Sequence, residues 1–185
     1  MLKISVVLII FIFTSCSGDK EPISTRIPAL GNSSEENFTD MYYFDKGKEC
    51  SANGKYDEAI LNYSKAIELS PHLAALYWNR GLAKSYLSKF NDALDDIDFA
   101  LKLSPKDISI IYSKAQVEFN AGYAKKALGD YSCAIALDST FGECYIERGI
   151  VKMKLGLNSE ACTDFYSGKR FHASNADFYI EKNCH

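Results

Sequence analysis

Apolar positions change character twice along the chain. From Ile4 to Phe13 they form a run interrupted only by Ser5, behind Lys3. From Ser17 to Thr39 they thin out among Gly18, Pro22, Pro28, Gly31 and a Ser/Asn/Glu stretch. From residue 40 onward they return in a long-period order of small and large side chains. The first run falls short of the roughly 20 residues that a spanning helix needs, so residues 1–15 are expected to be a signal peptide. Residues 16–39 cannot build a core and are expected to be a flexible tether.

The long-period region repeats every 34 residues. Ala59, Ala93, Ala127 and Ala161 form one series, and Gly47, Gly81, Ala115 and Gly149 a second. Ala66, Ala100, Ala134 and Gly168 form a third, and the bulky Tyr63, Ile97, Tyr131 and Phe165 a fourth. Two antiparallel helices approach closely only where side chains are tiny, so the second series is expected to face the first across a helical hairpin. The bulky series fills the space beside those contacts. Gly54, Gly122 and Gly156 recur where a left-handed residue would end the first helix, and Ser88 stands there without glycine's freedom. Pro71 and Pro105 stop the second helix by pushing the preceding residue out of helical geometry, and Asp138-Ser139-Thr140 does the same by turn and cap chemistry.

This order of residues resembles the tetratricopeptide repeat family, at about residues 40–73, 74–107, 108–141 and 142–172. The resemblance implies an all-α fold, an α-α superhelix of about four helical hairpins. Ala176, Phe178, Tyr179 and Ile180 suit a C-terminal capping helix within residues 173–185, which would cover the last hairpin. Arg80-Gly81-Leu82-Ala83-Lys84 and Arg148-Gly149-Ile150-Val151-Lys152 look like a subgroup common in bacterial versions. Lys46, Arg80, Lys114 and Arg148 stand where the family usually has Leu, and their stems are expected to pack while the charged ends snorkel to water. Upstream, Phe13-Thr14-Ser15-Cys16 resembles the lipobox of bacterial lipoproteins, with Phe13 in place of the usual Leu. That resemblance implies acylation of Cys16 and attachment to a membrane of the bacterial cell envelope, on the periplasmic or surface side of the outer membrane. Without acylation the protein would be secreted.

In the family, first helices line a concave groove that binds a partner's peptide or helix. Matching each copy to that pattern gives three series: Phe44, Trp78, Tyr112 and Ile146; Lys48, Leu82, Gln116 and Ile150; and Ser51, Ser85, Phe119 and Met153, with Tyr86 beside them. Large apolar side chains in such numbers need a cover. The expected binding residues are Phe44, Trp78, Leu82, Tyr86, Tyr112, Gln116, Phe119, Ile146 and Ile150. The places of the carboxylate clamp, which binds chaperone tails, fall at Phe44, Lys48, Asn79, Ser109 and Ser113, where only Asn79 fits.

Lys+Arg 21 against Asp+Glu 24 gives a formal charge of -3, which offers no general attraction to nucleic acid. Beyond Cys16 five cysteines remain, an odd number. In an oxidising compartment Cys133 with Cys144 and Cys162 with Cys184 are candidate disulfides, which leaves Cys50 as a small hydrophobe. His172, Cys184 and His185 match no metal-ligand spacing, and Asp92, Asp95, Asp96 and Asp98 are expected to form a solvated face. No phosphate loop, nucleophile elbow or zinc-protease motif occurs, so neither an enzyme nor a cofactor, metal or small-molecule substrate is expected. The leading expectation is a membrane-anchored adaptor that binds another protein; the alternative is a structural component of an envelope assembly whose groove is self-filled.

Overall fold

The structure, a computed structural model, describes residues 39–184. The signal peptide, Cys16 and nearly all of the tether lie outside the described residues, as does His185. Among the described residues there are nine helices and no strand. They are α1 (Asp40–Ala52), α2 (Tyr56–Leu69), α3 (Ala74–Tyr86), α4 (Phe90–Leu103), α5 (Ile108–Asn120), α6 (Ala124–Leu137), α7 (Gly142–Lys154), α8 (Asn158–Arg170) and α9 (Ala176–Asn183). First helices begin at 40, 74, 108 and 142, and second helices at 56, 90, 124 and 158, so both kinds keep the 34-residue step of the sequence.

The step follows from close packing inside each hairpin. A Cβ on Gly47 would come within 2.5 Å of the Tyr63 ring, and one on Gly81 within 2.9 Å of the Ala93 carbonyl oxygen. Gly149 stands against Phe165 in the same way. Ala59, Ala93, Ala127 and Ala161 are fully buried on the opposing helices. Tyr63, Ile97, Tyr131 and Phe165 are buried beside them and hold the four hydrophobic clusters.

Helix ends follow local chemistry. The Thr39 hydroxyl accepts from the Tyr42 N–H, and the Asp107 carboxylate accepts from the N–H groups of Ser109 and Ile110, which start α1 and α5. α2 and α4 end at Ser70 and Ser104, ahead of the two prolines. Ser88 takes the left-handed conformation after all, at φ 59°, in register with Gly54, Gly122 and Gly156.

Each second helix packs on the next first helix, and the first helices also touch one another. The second helices stand farther apart, which puts α1, α3, α5 and α7 on the tighter side of the stack. α9 packs on α8, where Tyr179 stacks on Phe165 with ring centroids 5.2 Å apart. A disulfide joins Cys162 of α8 to Cys184 after α9, with the Cα atoms 5.6 Å apart.

Three expectations are corrected. Cys133 and Cys144 are free thiols: Cys133 is exposed, whereas Cys144 is fully buried in the third cluster, its thiol pushed up to about 12 by burial. The acidic run is not a solvated face throughout, because Asp96 is buried and receives both Arg80 and Lys84. Arg80 and Arg148 accordingly do not snorkel; both guanidiniums turn inward to a carboxylate.

Candidate functional site

Residues on the first helices, mainly α1, α3 and α5 with Glu147 of α7, form two depressions along the tighter side of the stack. The lower one, of about 410 Å3, is lined mainly by Met41, Phe44, Leu73, Leu76, Trp78 and Ile110, with Asp40 and Asp107 among the lining residues. The upper one, of about 220 Å3, is lined by Leu82, Ser85, Tyr86, Gln116, Phe119 and Asn120, with Tyr131 and Glu147. Their chemistry differs. The lower depression is mostly apolar, and the upper one carries hydroxyls, amides and a carboxyl.

Six of the nine expected binding residues line these depressions: Phe44 and Trp78 in one, Leu82, Tyr86, Gln116 and Phe119 in the other. Tyr86 is 67% exposed, and one face of its ring stacks on Tyr56 at 4.6 Å. Tyr112 lies half-buried behind the line, against Tyr131 and Phe141, and its hydroxyl accepts from the Gln116 amide at 3.1 Å. Burial raises the Tyr112 hydroxyl well above the usual phenol range. Ile146 is not at the surface at all: it is 1% exposed, inside the cluster of Ala161, Phe165, Ala173 and Ala176. Ile150 packs against the same cluster. The expected groove thus reaches the fourth repeat only at Glu147, while Ile146 and Ile150 are drawn into the cluster formed with the segment leading into α9.

Two buried polar atoms beside the depressions have no hydrogen-bond partner among the described residues, the Trp78 indole nitrogen and the Tyr131 hydroxyl. Register accounts for the second. The hydroxyl of Tyr63 lies 3.3 Å from the Ser51 hydroxyl, and two units farther on the place of Ser51 is taken by Phe119. Tyr131 therefore keeps its hydroxyl and loses the mate. Glu147, whose carboxyl is raised by burial, was likewise not singled out by the sequence, since one acidic residue on a helix carries no pattern.

Hairpins in step, small residues at every crossing and first helices turned to one side decide the architecture. The described residues form a tetratricopeptide-repeat fold. A family model described as TPR repeat matches residues 47–85. The fold is similar to the crystal structure of MamA, at 22% identity and a TM-score of 0.67, over 75% of this chain and 81% of that one. It is similar to the first TPR of Spaghetti bound to an HSP90 peptide, at 26% identity and a TM-score of 0.61, over 64% of this chain and 94% of that one. YrrB, described as a TPR protein with an unusual peptide-binding site, matches at 21% identity and a TM-score of 0.61, over 77% of each chain. No curated protein matches the sequence. Within the tetratricopeptide-repeat fold, the two depressions occupy the first-helix face of repeats one to three, with Glu147 of repeat four at the edge.

Proposed function

We propose that the protein is an adaptor that holds a segment of a partner protein along the first helices of repeats one to three, while acylated Cys16 fixes it to a membrane of the bacterial envelope. One observation carries the groove: two neighbouring depressions are lined by the half-buried apolar side chains of Phe44, Trp78, Leu82 and Phe119 beside two buried polar atoms that have no mate among the described residues. A bound segment supplies both what the apolar edges and the polar atoms lack, cover from water and a hydrogen-bond partner. Spaghetti carries an HSP90 peptide, and YrrB is described as having a peptide-binding site, which supports the same use of the fold here. The ligand differs from an acidic chaperone tail, because Ser113 is buried with its hydroxyl donated to the Ser109 carbonyl, and Phe44 offers no charge. A segment with apolar side chains for the lower depression and a polar side chain for Tyr131, Gln116 and Glu147 suits the lining.

The test is site-specific photocrosslinking in cells from a probe at Tyr86 and, as control, at exposed Lys102 on α4. A partner captured only at Tyr86, and lost when Leu82→Asp is introduced into a chain that still folds, supports the groove. Equal capture from both positions overturns it. Membrane attachment is tested separately, by labelled fatty-acid incorporation that Cys16→Ser abolishes.

A further inference from the structure

Away from the groove, the same four register positions carry one chemistry in repeats two and four and another in repeat three. In repeat two the Arg80 guanidinium donates to both Asp96 oxygens and to the Ser64 hydroxyl, and Lys84 reaches Asp96 at 2.7 Å. Repeat four copies this with Arg148, Asp164, Ser132 and Lys152, the last at 2.8 Å. In repeat three the serine is replaced by Asp98, the arginine by Lys114 and the second lysine by Glu118, while Asp130 keeps the carboxylate. Lys114 lies 3.0 Å from Asp98 and 3.3 Å from Asp130, so one ammonium serves two carboxylates and Glu118 is left over.

Glu118 is only 4% exposed, and its Oε2 has no hydrogen-bond partner among the described residues. It lines a recess of about 600 Å3 between α4, α5 and α6, together with Asp95, Asp98, Lys114, Lys126 and Asp130. Lys126 could have balanced it, since its counterparts Asp92 and Glu160 sit beside Lys84 and Lys152. Its ammonium instead lies over the Tyr123 ring, 5.0 Å from the centroid. With Lys126 included, the five register positions sum to no net charge in repeats two and four and to one negative charge in repeat three. One cation is missing, at a buried carboxylate that already faces an opening.

We propose that this recess binds one basic side chain, an arginine or lysine of a partner protein, with Glu118 and its neighbour Asp130 as acceptors. Repeats two and four show the completed arrangement in this same chain, where a second cation lies beside the buried carboxylate. Among the described residues no cluster has the donor set for a metal ion, which directs the site to an organic cation. In the empty recess burial, then the charge of Asp130, raises the Glu118 carboxyl to about 7, against the smaller opposing pull of Lys114 and Lys126. A proton thus occupies the place that a guanidinium would take, and binding must release it.

The probe is a blocked pentapeptide with arginine between alanines, and its counterpart has citrulline, which keeps the shape and loses the charge. Amide spectra of the full folded domain are followed during titration at pH 8 and pH 5.5. The expected result is saturable shifts confined to residues around Asp98, Glu118 and Asp130 with the arginine peptide only, with affinity weaker by about thirtyfold at the lower pH. Glu118→Gln removes them. Glu118→Lys, which fills the recess from within as Lys84 does, removes them too and leaves the thermal midpoint at or above that of the parent. Leu82→Asp in the groove leaves them unchanged, which separates this site from the proposed groove. Equal shifts with citrulline, shifts that survive in Glu118→Lys, calcium shifting the same amides at lower concentration than arginine, or no shift there at all would overturn the proposal.

Discussion

Arg80 and Asp96 meet edge to edge across the hairpin, with Nε to Oδ2 at 2.8 Å and Nη2 to Oδ1 at 2.7 Å. The hydrogen bonds to Asp96 raise the Arg80 guanidinium above its ordinary value, so the guanidinium stays charged at any working pH. Arg148 and Asp164 repeat the geometry at 2.9 and 2.7 Å. Removing Arg80 leaves Asp96 with Lys84 as its remaining cation, in a site with little water. Arg80→Ala is expected to lower stability by about 3 kcal/mol in urea unfolding. Arg80→Met combined with Lys84→Met and Asp96→Leu should cost less than the single change, because the carboxylate leaves together with both of its cations. A triple variant worse than Arg80→Ala would show that the ion pairs themselves, not the under-partnered carboxylate, set the cost.

Ser88 bears a left-handed backbone at φ 59° where the other units have glycine. A side chain in that conformation costs about 1–2 kcal/mol, partly offset by the looser unfolded chain that glycine brings. Ser88→Gly should therefore raise stability by about 0.5–1 kcal/mol, read as a higher thermal midpoint. Gly122→Ser, at φ 87°, should lower it.

Glu118 titrates at about 7 in the folded state, above its ordinary value of 4.5. The folded chain holds this proton more tightly than the unfolded one, so the contribution is complete below about pH 4.5 and fades as pH rises through 7. Glu118→Gln removes the titration. Relative to the variant, the parent should lose about 2–3 kcal/mol between pH 4.5 and pH 8, measured as paired urea unfolding curves across that range. A constant difference between the two would contradict the assigned titration.

The Cys162–Cys184 bridge spans 22 residues and ties the end of α9 to α8. Closing a loop of that length constrains the unfolded chain by about 3 kcal/mol in the entropic account. Reduction should accelerate amide exchange in α9 and around Ile146, while α1 to α4 keep their protection. Uniform acceleration throughout would mean that the last hairpin and the rest open as one unit.

Much of the hairpin stack was legible in the sequence because close approach is recorded locally: Gly47 and Gly149 recur in step, and each touches the large ring 16 residues on. Side-chain direction was less legible. Cys133 and Cys144 flank a turn symmetrically, yet Cys133 lies one position, about 100° of helix rotation, from buried Ala134. Ile146 was assigned by copying one repeat onto the next, and only the last repeat meets a segment folding back from α8 into α9. Asp96 looked like one of a run of charges because its partner sits on another helix; the recurrence of the same pair at Arg148 and Asp164 was the available signal.

Alternation of the buried ion pair has a consequence for how such a chain can lengthen. The second, third and fourth hairpins each reach back to the second helix before them, Arg80 to Ser64, Lys114 to Asp98 and Arg148 to Ser132. Inserting one hairpin by tandem duplication would set two units of the same kind side by side and create a junction with no counterpart in the present chain. Inserting repeats two and three together would instead set Ser132 before a second copy of Arg80, the same seam that Ser132 and Arg148 make now.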